Sequence, residues 1–231
     1  MKVSVICPTY NRKNLLHRAI ESFLDQDYSD AELVILDNGT TDGTTEHLKH
    51  LVDISIAEFG KCPIKVITRA INTPFGSLNE LWKNCTGDLI CQLHDDDFLT
   101  PNSLTFRVNL FKNNPNLHVV WGGANLVDIN GNKTNFCPGE VPDAGRILKQ
   151  DYINFTTLMW RRDLPFMFDD DFEFNMDWLF KIRCLKELRC DNVYAPVMNY
   201  TVHAGQETHR SRTSGAHDKE MAMIQTKLKE L

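Results

Sequence analysis

Val3-Ser4-Val5-Ile6-Cys7-Pro8-Thr9-Tyr10-Asn11-Arg12 is an apolar run that stops abruptly in a polar turn. Residues 3–7 read as a buried strand, and Leu15, Ala19, Ile20, Phe23 and Leu24 then recur at helical spacing. Working outward, the alternation repeats. Residues 32–36 form a second predicted strand, followed by a Gly/Thr/Asp turn over 37–44 and a helix carrying Leu48, Leu51 and Val52. Residues 64–68 are a third strand, backed by a helix with Leu78, Leu81 and Trp82. Residues 89–93 are a fourth, and the next helix is predicted to start at Pro101, whose missing N–H has no helical partner in a first turn. A fifth strand begins at 119–121. Strand and helix alternating in this way build an α/β fold, a mostly parallel central sheet with helices on both faces.

After about residue 122 the rhythm breaks. Residues 125–128 and 133–136 flank Asn130-Gly131, a favoured hairpin turn because both positions tolerate positive φ. An aromatic, acidic stretch over 160–178 follows, then a helix over 178–188 and a strand near 193–200. The expected division is an α/β half over 1–122, a more irregular half of the same domain over 123–203, and a polar loop with a last helix over 204–231. Met221, Ile224, Leu228 and Leu231 form one stripe of that helix. The stripe reads as core packing, with a homodimer surface as the alternative.

The chain has 231 residues, 42% of them apolar and 24% charged, which suits a globular fold. Lys and Arg total 25 against 31 Asp and Glu, a net charge of -6 that argues against general binding to nucleic acid or anionic membranes. No apolar run approaches the ~18 residues of a membrane span, and residues 9–12 turn polar too early for a signal peptide, so a cytoplasmic location is expected. Seven scattered cysteines with no C-x-x-C pair read as reduced and structural.

Ligands of open parallel sheets bind beyond the carboxyl ends of the strands. Three polar clusters fall there: Pro8-Thr9-Tyr10-Asn11-Arg12, Asp37-Asn38-Gly39-Thr40, and His94-Asp95-Asp96-Asp97. The turn after the first strand has no glycine, so neither common phosphate-binding loop is present. Asp95, Asp96 and Asp97 supply another way to hold a phosphate. Carboxylates repel a diphosphate, but a bridging Mg²⁺ or Mn²⁺ reverses the sign. The competing reading is a solvated loop whose carboxylate caps the following helix. A second triplet, Asp169-Asp170-Asp171, lies among aromatics, where acceptor contact or simple solvation is expected. Asp177, at the start of a predicted helix, reads equally as a charge favourable to the helix dipole or as a general base.

The first-strand decapeptide, then Val34-Ile35-Leu36-Asp37-Asn38-Gly39-Thr40-Thr41-Asp42-Gly43-Thr44, then Asp95-Asp96-Asp97 before Pro101, resembles the family 2 glycosyltransferases with the GT-A fold. The resemblance implies that Pro8, Thr9, Tyr10, Asn11 and Arg12 line the nucleotide pocket, that Asp37 contacts the base, and that Arg69 and Asp95 belong to the donor site. It makes Asp96 the main metal ligand, with Asp97 and His203 beside it. Met176-Asp177-Trp178-Leu179-Phe180 is similar to the family's acidic motif, whose Asp is the catalytic base; Asp170 and Trp178 are then acceptor contacts. Two positions depart from the pattern. His94 stands where the family usually has Asp, and Met176 where an acidic residue is common.

The function so implied is a metal-dependent, inverting, hexosyltransferase-type transfer from a nucleoside-diphosphate sugar to a glycan, lipid-linked or protein hydroxyl. Asp37 could accept from a pyrimidine imide N–H, which favours UDP or dTDP. A glycosidase would instead need two carboxylates flanking one bond. The alternatives are a non-catalytic nucleotide-sugar or glycan-binding module and a nucleotidyltransferase. His203, His209, Arg210 and Arg212 form a basic cluster that reads either as a flap over the diphosphate or as a solvated loop.

Overall fold

The structure, a computed structural model, describes residues 1–59, 62–73, 76–173, 175–206 and 216–228. The second strand, β2 (Ala31–Asn38), shows how the sheet acquires two apolar faces. Leu33 and Ile35 join one core while Val34 and Leu36 join the other, and all four are buried. Only a strand covered on both sides needs such a continuous apolar run. β1 (Val3–Thr9) pairs parallel with β2 and with β4 (Leu89–Gln92), and β2 pairs parallel with β3 (Ile64–Arg69).

Helices α1 (Lys13–Leu24), α2 (Thr44–Phe59) and α4 (Ser103–Asn113) cover the face of Leu33 and Ile35, contributing Leu16, Leu48 and Val108. The opposite face takes α3 (Ser77–Lys83), α6 (Met176–Glu187) and α7 (Ala216–Lys227) through Leu81, Ile182 and Ile224. A short α5 (Ala144–Ile147) precedes α6.

The sheet does not end at β4. It continues through β8 (Met159–Arg161), β6 (Val119–Val127), β9 (Cys190–Thr201) and β5 (Phe98–Leu99), with β7 (Lys133–Cys137) hairpinned onto β6. β8 runs antiparallel to both β4 and β6, whereas β6 and β9 are parallel. Thus the first half is a parallel sheet and the second a mixed extension of it. The expected boundary at residue 122 falls inside β6.

Several local expectations shift. The helix placed at Pro101 starts at Ser103, with Asn102 in the left-handed region at φ 61°. The turn before it is pinned to β9 by Thr100 Oγ1–H on the Pro196 carbonyl and Ser103 Oγ–H on the Val197 carbonyl. On α1 the buried stripe runs through Leu16 rather than Leu15, and Leu24 lies 52% exposed. The aromatic stretch over 160–178 is core: Trp160, Phe166 and Phe168 pack with Trp82 and Phe180, the closest ring centroids being 4.4 Å apart. Edge-on and tilted rings of this kind suit the aromatic quadrupole. The terminal stripe is core as well, since Ile224 is fully buried and Met221 and Leu228 pack beside it; Leu231 lies outside the described residues. All seven cysteines are free thiols. No helix among the described residues is long and apolar enough to cross a membrane.

At the edge where β1 and β2 begin, Glu32 accepts from Ser4 Oγ at 2.6 Å, the Thr86 amide at 2.7 Å and Lys2 Nζ at 3.0 Å. Burial alone would raise its pKa, but these donors outweigh burial and hold it at about 2. A carboxylate depressed in the folded state stabilises the fold above its unfolded pKa, and the contribution disappears as pH falls through the folded value. Glu32→Gln is therefore expected to cost roughly 1–2 kcal/mol at pH 7, allowing for solvent screening. Chemical denaturation from pH 5 to pH 2 should show a shallower acid loss for the variant than for wild type.

Candidate active site

The parallel pairing brings the ends of β1, β2 and β4 to one rim, with Thr9 opposite Asp37. Asn11 turns the chain out of β1 at φ 52°, a conformation its short polar side chain tolerates. Its Oδ1 accepts the Thr41 amide at 2.8 Å, which ties the first rim loop to the second. Gly39 is required where it stands. Its φ is +75°, and a Cβ there would lie 2.5 Å from the backbone of Ile71 and Asn72.

The first rim loop divides its labour. Tyr10 is 42% exposed at the mouth, Pro8 is half-buried, and Thr9 faces inward, where Oγ1–H donates to Asp95 Oδ2 at 2.7 Å. Arg12 reaches across the rim to the Gly205 carbonyl at 2.6 Å. Asp37 is fully buried, accepting from the Thr40 amide at 3.2 Å and from the Thr45 hydroxyl. In this structure it fastens the turn after β2, with its carboxylate enclosed by that turn.

The acidic triplet sits where β1 and β4 end. Burial, then the neighbouring Asp96, push the Asp95 carboxyl up to about 7 against the Thr9 hydrogen bond. Asp97 is 1% exposed; burial and Asp96 drive its pKa well above the usual carboxylate range, although the Thr201 amide donates to its Oδ1 at 2.9 Å. Its Oδ2 is buried with no hydrogen-bond partner among the described residues. His94 Nδ1 stands 3.9 Å from that oxygen, and ligand atoms of His94, Asp96 and Asp97 all lie within 4.8 Å of one another. Partial burial lowers the His94 pKa, which leaves a neutral imidazole able to donate a lone pair. Two oxygens and a nitrogen around an orphaned buried carboxylate atom suit a divalent cation.

His203, placed by resemblance among the metal ligands, hydrogen-bonds Asp96 Oδ2 through Nε2 at 3.1 Å, while its Nδ1 accepts the Gly205 amide at 3.2 Å. With Nδ1 accepting, the neutral ring carries its proton on Nε2 and donates to Asp96. The His94 position, a departure from the family pattern, takes the third corner of the cluster.

A cleft of about 400 Å³ opens beside the triplet, and its lining includes both Asp96 and Asp177. Trp121, Tyr152, Phe155 and Tyr200 contribute aromatic surface to the same walls. Asp177 lies in the first turn of α6, so the helix dipole and the cleft act on one carboxylate. One turn later, Lys181 is 2% exposed and donates to Asp177 Oδ2 at 2.9 Å, Asp151 Oδ2 at 2.7 Å and the Ile153 carbonyl at 3.0 Å. Burial would lower the lysine pKa, but Asp177 and Asp151 outweigh it and the net direction is up. Sequence reasoning missed Lys181 and Asp151. The only available signal was a lysine on the otherwise apolar face Trp178, Ile182, Leu185, which periodicity alone treats as noise.

Other expected contacts lie elsewhere. Arg69 donates to Glu80 at 2.6 and 2.8 Å, to Asn38 and to Thr73, so it braces the loop beyond β3 against α3. Asp170 accepts from Asn79 at 2.7 Å, and Asp169 and Asp171 pair with Lys227 of α7. The second triplet therefore anchors the terminal helix outside the cleft. Trp178 is buried, its indole N–H on the Ile147 carbonyl at 2.8 Å, and so is a packing residue rather than an acceptor contact. His209, Arg210 and Arg212 lie outside the described residues.

Comparison with known proteins follows the same outline. Residues 4–136, more than half of the chain, match the family model described as Glycosyl transferase family 2. The E. coli UDP-Glc:alpha-D-GlcNAc-diphosphoundecaprenol beta-1,3-glucosyltransferase WfgD is 25% identical over 186 residues, covering 80% of this chain and 70% of its own. TarS of S. aureus, solved with UDP-GlcNAc, is similar in fold with a TM-score of 0.70 at 19% identity, over 89% of this chain and 60% of TarS. The mannosyltransferase PcManGT of Pyrobaculum calidifontis, solved with GDP-Man and Mn²⁺, gives 0.63 at 16% identity, over 91% of this chain and 59% of that one. The chain thus spans about three-fifths of the length of either structure.

The orphaned oxygen of Asp97 sets a test of the cluster. Above the unfolded carboxylate pKa, folding must either protonate Asp97 or bury its charge, so removing the charge relieves the fold. Asp97→Asn is expected to raise the melting temperature by about 2–4 °C at pH 7.5 without added metal. If the cluster takes a cation, Mn²⁺ should raise the wild-type melting temperature and leave that of the variant unchanged, read by thermal shift with and without EDTA.

Proposed function

The chain belongs to glycosyltransferase family 2, and on that premise we propose that it carries out a metal-dependent, inverting transfer of a sugar from a nucleoside diphosphate to a hydroxyl acceptor in glycan or polysaccharide synthesis. The observation that carries this reading is the shared cleft: Asp96 and Asp177, brought from opposite halves of the sequence, line one space of about 400 Å³. That volume accommodates a sugar and its reacting partner.

A divalent cation, Mn²⁺ or Mg²⁺, held by His94, Asp96 and Asp97, would neutralise the charge that builds on a departing diphosphate. The chain's own residues supply the rest. His203 holds Asp96 in place from the side of the strand β9. Arg12 fixes the following turn through Gly205, closing the rim over the diphosphate position. Across the cleft, Asp177 takes the proton of the acceptor hydroxyl as its oxygen bonds to the anomeric carbon and the bond from that carbon to the diphosphate oxygen breaks. A base opposite the leaving group gives inversion, and a well-placed one contributes roughly 10²–10⁴ in rate.

In this reading residues 1–122 bind the donor and residues 123–203 present the acceptor, with Tyr152 offering a face against which a sugar ring packs. UDP is the nucleotide bound by TarS and named for the E. coli relative's donor, and PcManGT was solved with GDP-Man and Mn²⁺. These make UDP-glucose, UDP-GlcNAc and GDP-mannose the first donors to test.

The test is a thermal-shift panel of these donors with and without Mn²⁺, followed by measurement of nucleoside diphosphate release. One donor should stabilise the protein only with metal present and be turned over. Asp177→Asn should keep that stabilisation and lose about 10²–10⁴ of the turnover. Near-normal turnover in this variant would reject Asp177 as the base, and metal-independent stabilisation by every donor would reject the metal.

A further inference from the structure

Lys181 is a cation enclosed by protein, and such groups persist only where their charge and protons are matched. Here all three ammonium protons have partners: Asp177 Oδ2, Asp151 Oδ2 and the Ile153 carbonyl. Its nitrogen also lies 6.0 Å from the Phe155 ring centroid, in the cleft wall. The arrangement uses one oxygen of Asp177. Its Oδ1 makes no hydrogen bond among the described residues.

A lysine one turn from an aspartate on an exposed helix face would contribute little, because both side chains would swing in water. Enclosure changes this. With three fixed acceptors the ammonium cannot rotate, so the Asp177 carboxylate is held in one plane. The charge count matters as well. One cation is shared between two carboxylates, so the lysine does not pair with Asp177 alone.

Resting on the reading of Asp177 as the base, we propose that Lys181 and Asp151 are positioning residues of the transfer reaction: Lys181 fixes Asp177 through its Oδ2, and Asp151 holds the lysine from the other side. The proton taken from the acceptor goes to Asp177 Oδ1, the oxygen Lys181 leaves uncommitted. Lys181 and Asp151 do not touch the reacting atoms. Among the described residues, the other titratable or charged side chains that line the cleft are His94 and Asp96 from the rim beyond β4, Glu140, which is paired with Arg146, the Cys137 thiol, and the phenols of Tyr152 and Tyr200.

The test combines proton uptake with turnover in Lys181→Met, which keeps the apolar stem, Lys181→Arg, which keeps the charge, and Asp151→Asn at a half-exposed position. Carboxyl signals of protein labelled with ¹³C-aspartate are assigned by their loss in Asp177→Asn and Asp151→Asn, then followed by NMR against pH. Turnover is read as diphosphate release from whichever of UDP-glucose, UDP-GlcNAc and GDP-mannose is active with Mn²⁺. In Lys181→Met the two carboxylates face each other without their cation, so the pair should take up its first proton at a pH higher by about one unit or more. Turnover should fall at least about tenfold with the Mn²⁺–donor thermal shift retained, and Lys181→Arg should restore most of it. Asp151→Asn should slow turnover by roughly three- to tenfold while the fold and donor shift remain intact.

Unchanged proton uptake in Lys181→Met overturns the proposal, as does shifted uptake with turnover within twofold of wild type. Loss of turnover that Lys181→Arg does not restore also overturns it, by reducing the lysine to a packing role. Normal turnover in Asp177→Asn removes the base assignment itself. That result is distinct, because the labelled spectra still report whether Lys181 controls the carboxyl pair.

Discussion

Packing carboxylates side by side at the end of two buried strands costs free energy, and the rest of the site is arranged around that cost. Thr9 donates to Asp95, the Thr201 amide to Asp97, and His203 to Asp96. The three donors come from the end of β1, the end of β9 and the turn beyond it. Asp97 Oδ2 still has no hydrogen-bond partner among the described residues. A fold maximising its own stability would place apolar or neutral residues here. Retaining acids at such a position makes sense where a cation binds, which is the usual relation between a strained site and its function.

The opposite wall obeys the same electrostatic rule with the opposite device. There the buried charge is already compensated, by a lysine shared between two aspartates. One side of the cleft thus crowds carboxylates together, and the other carries a cation between them. Between them lies a cleft whose walls mix the aromatic residues Tyr152, Phe155 and Tyr200 with polar and charged ones. The helix that bears Asp177 is itself fixed from behind, because Glu220 of the terminal helix accepts the backbone amides of Glu173 and Asn175 at its start. Packing far from the cleft therefore sets where the carboxylate points.

The parallel half was legible because its strands are covered on both faces, so each reads as an unbroken apolar run between turn residues. The mixed half was not. β5 and β8 span only 2 and 3 residues, too short to show any period, and their pairing is dictated by β9, β4 and β6. Within the stretch over 160–178, Asp170 and Trp178 were expected as acceptor contacts, yet Trp178 is buried and the rings of Trp160, Phe166 and Phe168 fill the core against Trp82 and Phe180. Composition cannot distinguish an aromatic that faces a ligand from one that faces another ring.

What the sequence by itself determined was the order of strands and helices in the first half, the rim on which acids collect, and the family to which that pattern belongs. These follow from local periodicity and from residue types at turns, which act over a few positions along the chain. Only the tertiary structure decided which of the acids and cations on that list meet. It brought His94 into the cluster, buried Asp37 and Trp178, turned Arg69 into a brace, and joined Lys181 to Asp151 across 30 residues. The physical reason is that electrostatic partnership depends on distance and burial, and both are set by how the sheet and helices pack, not by neighbours in the chain.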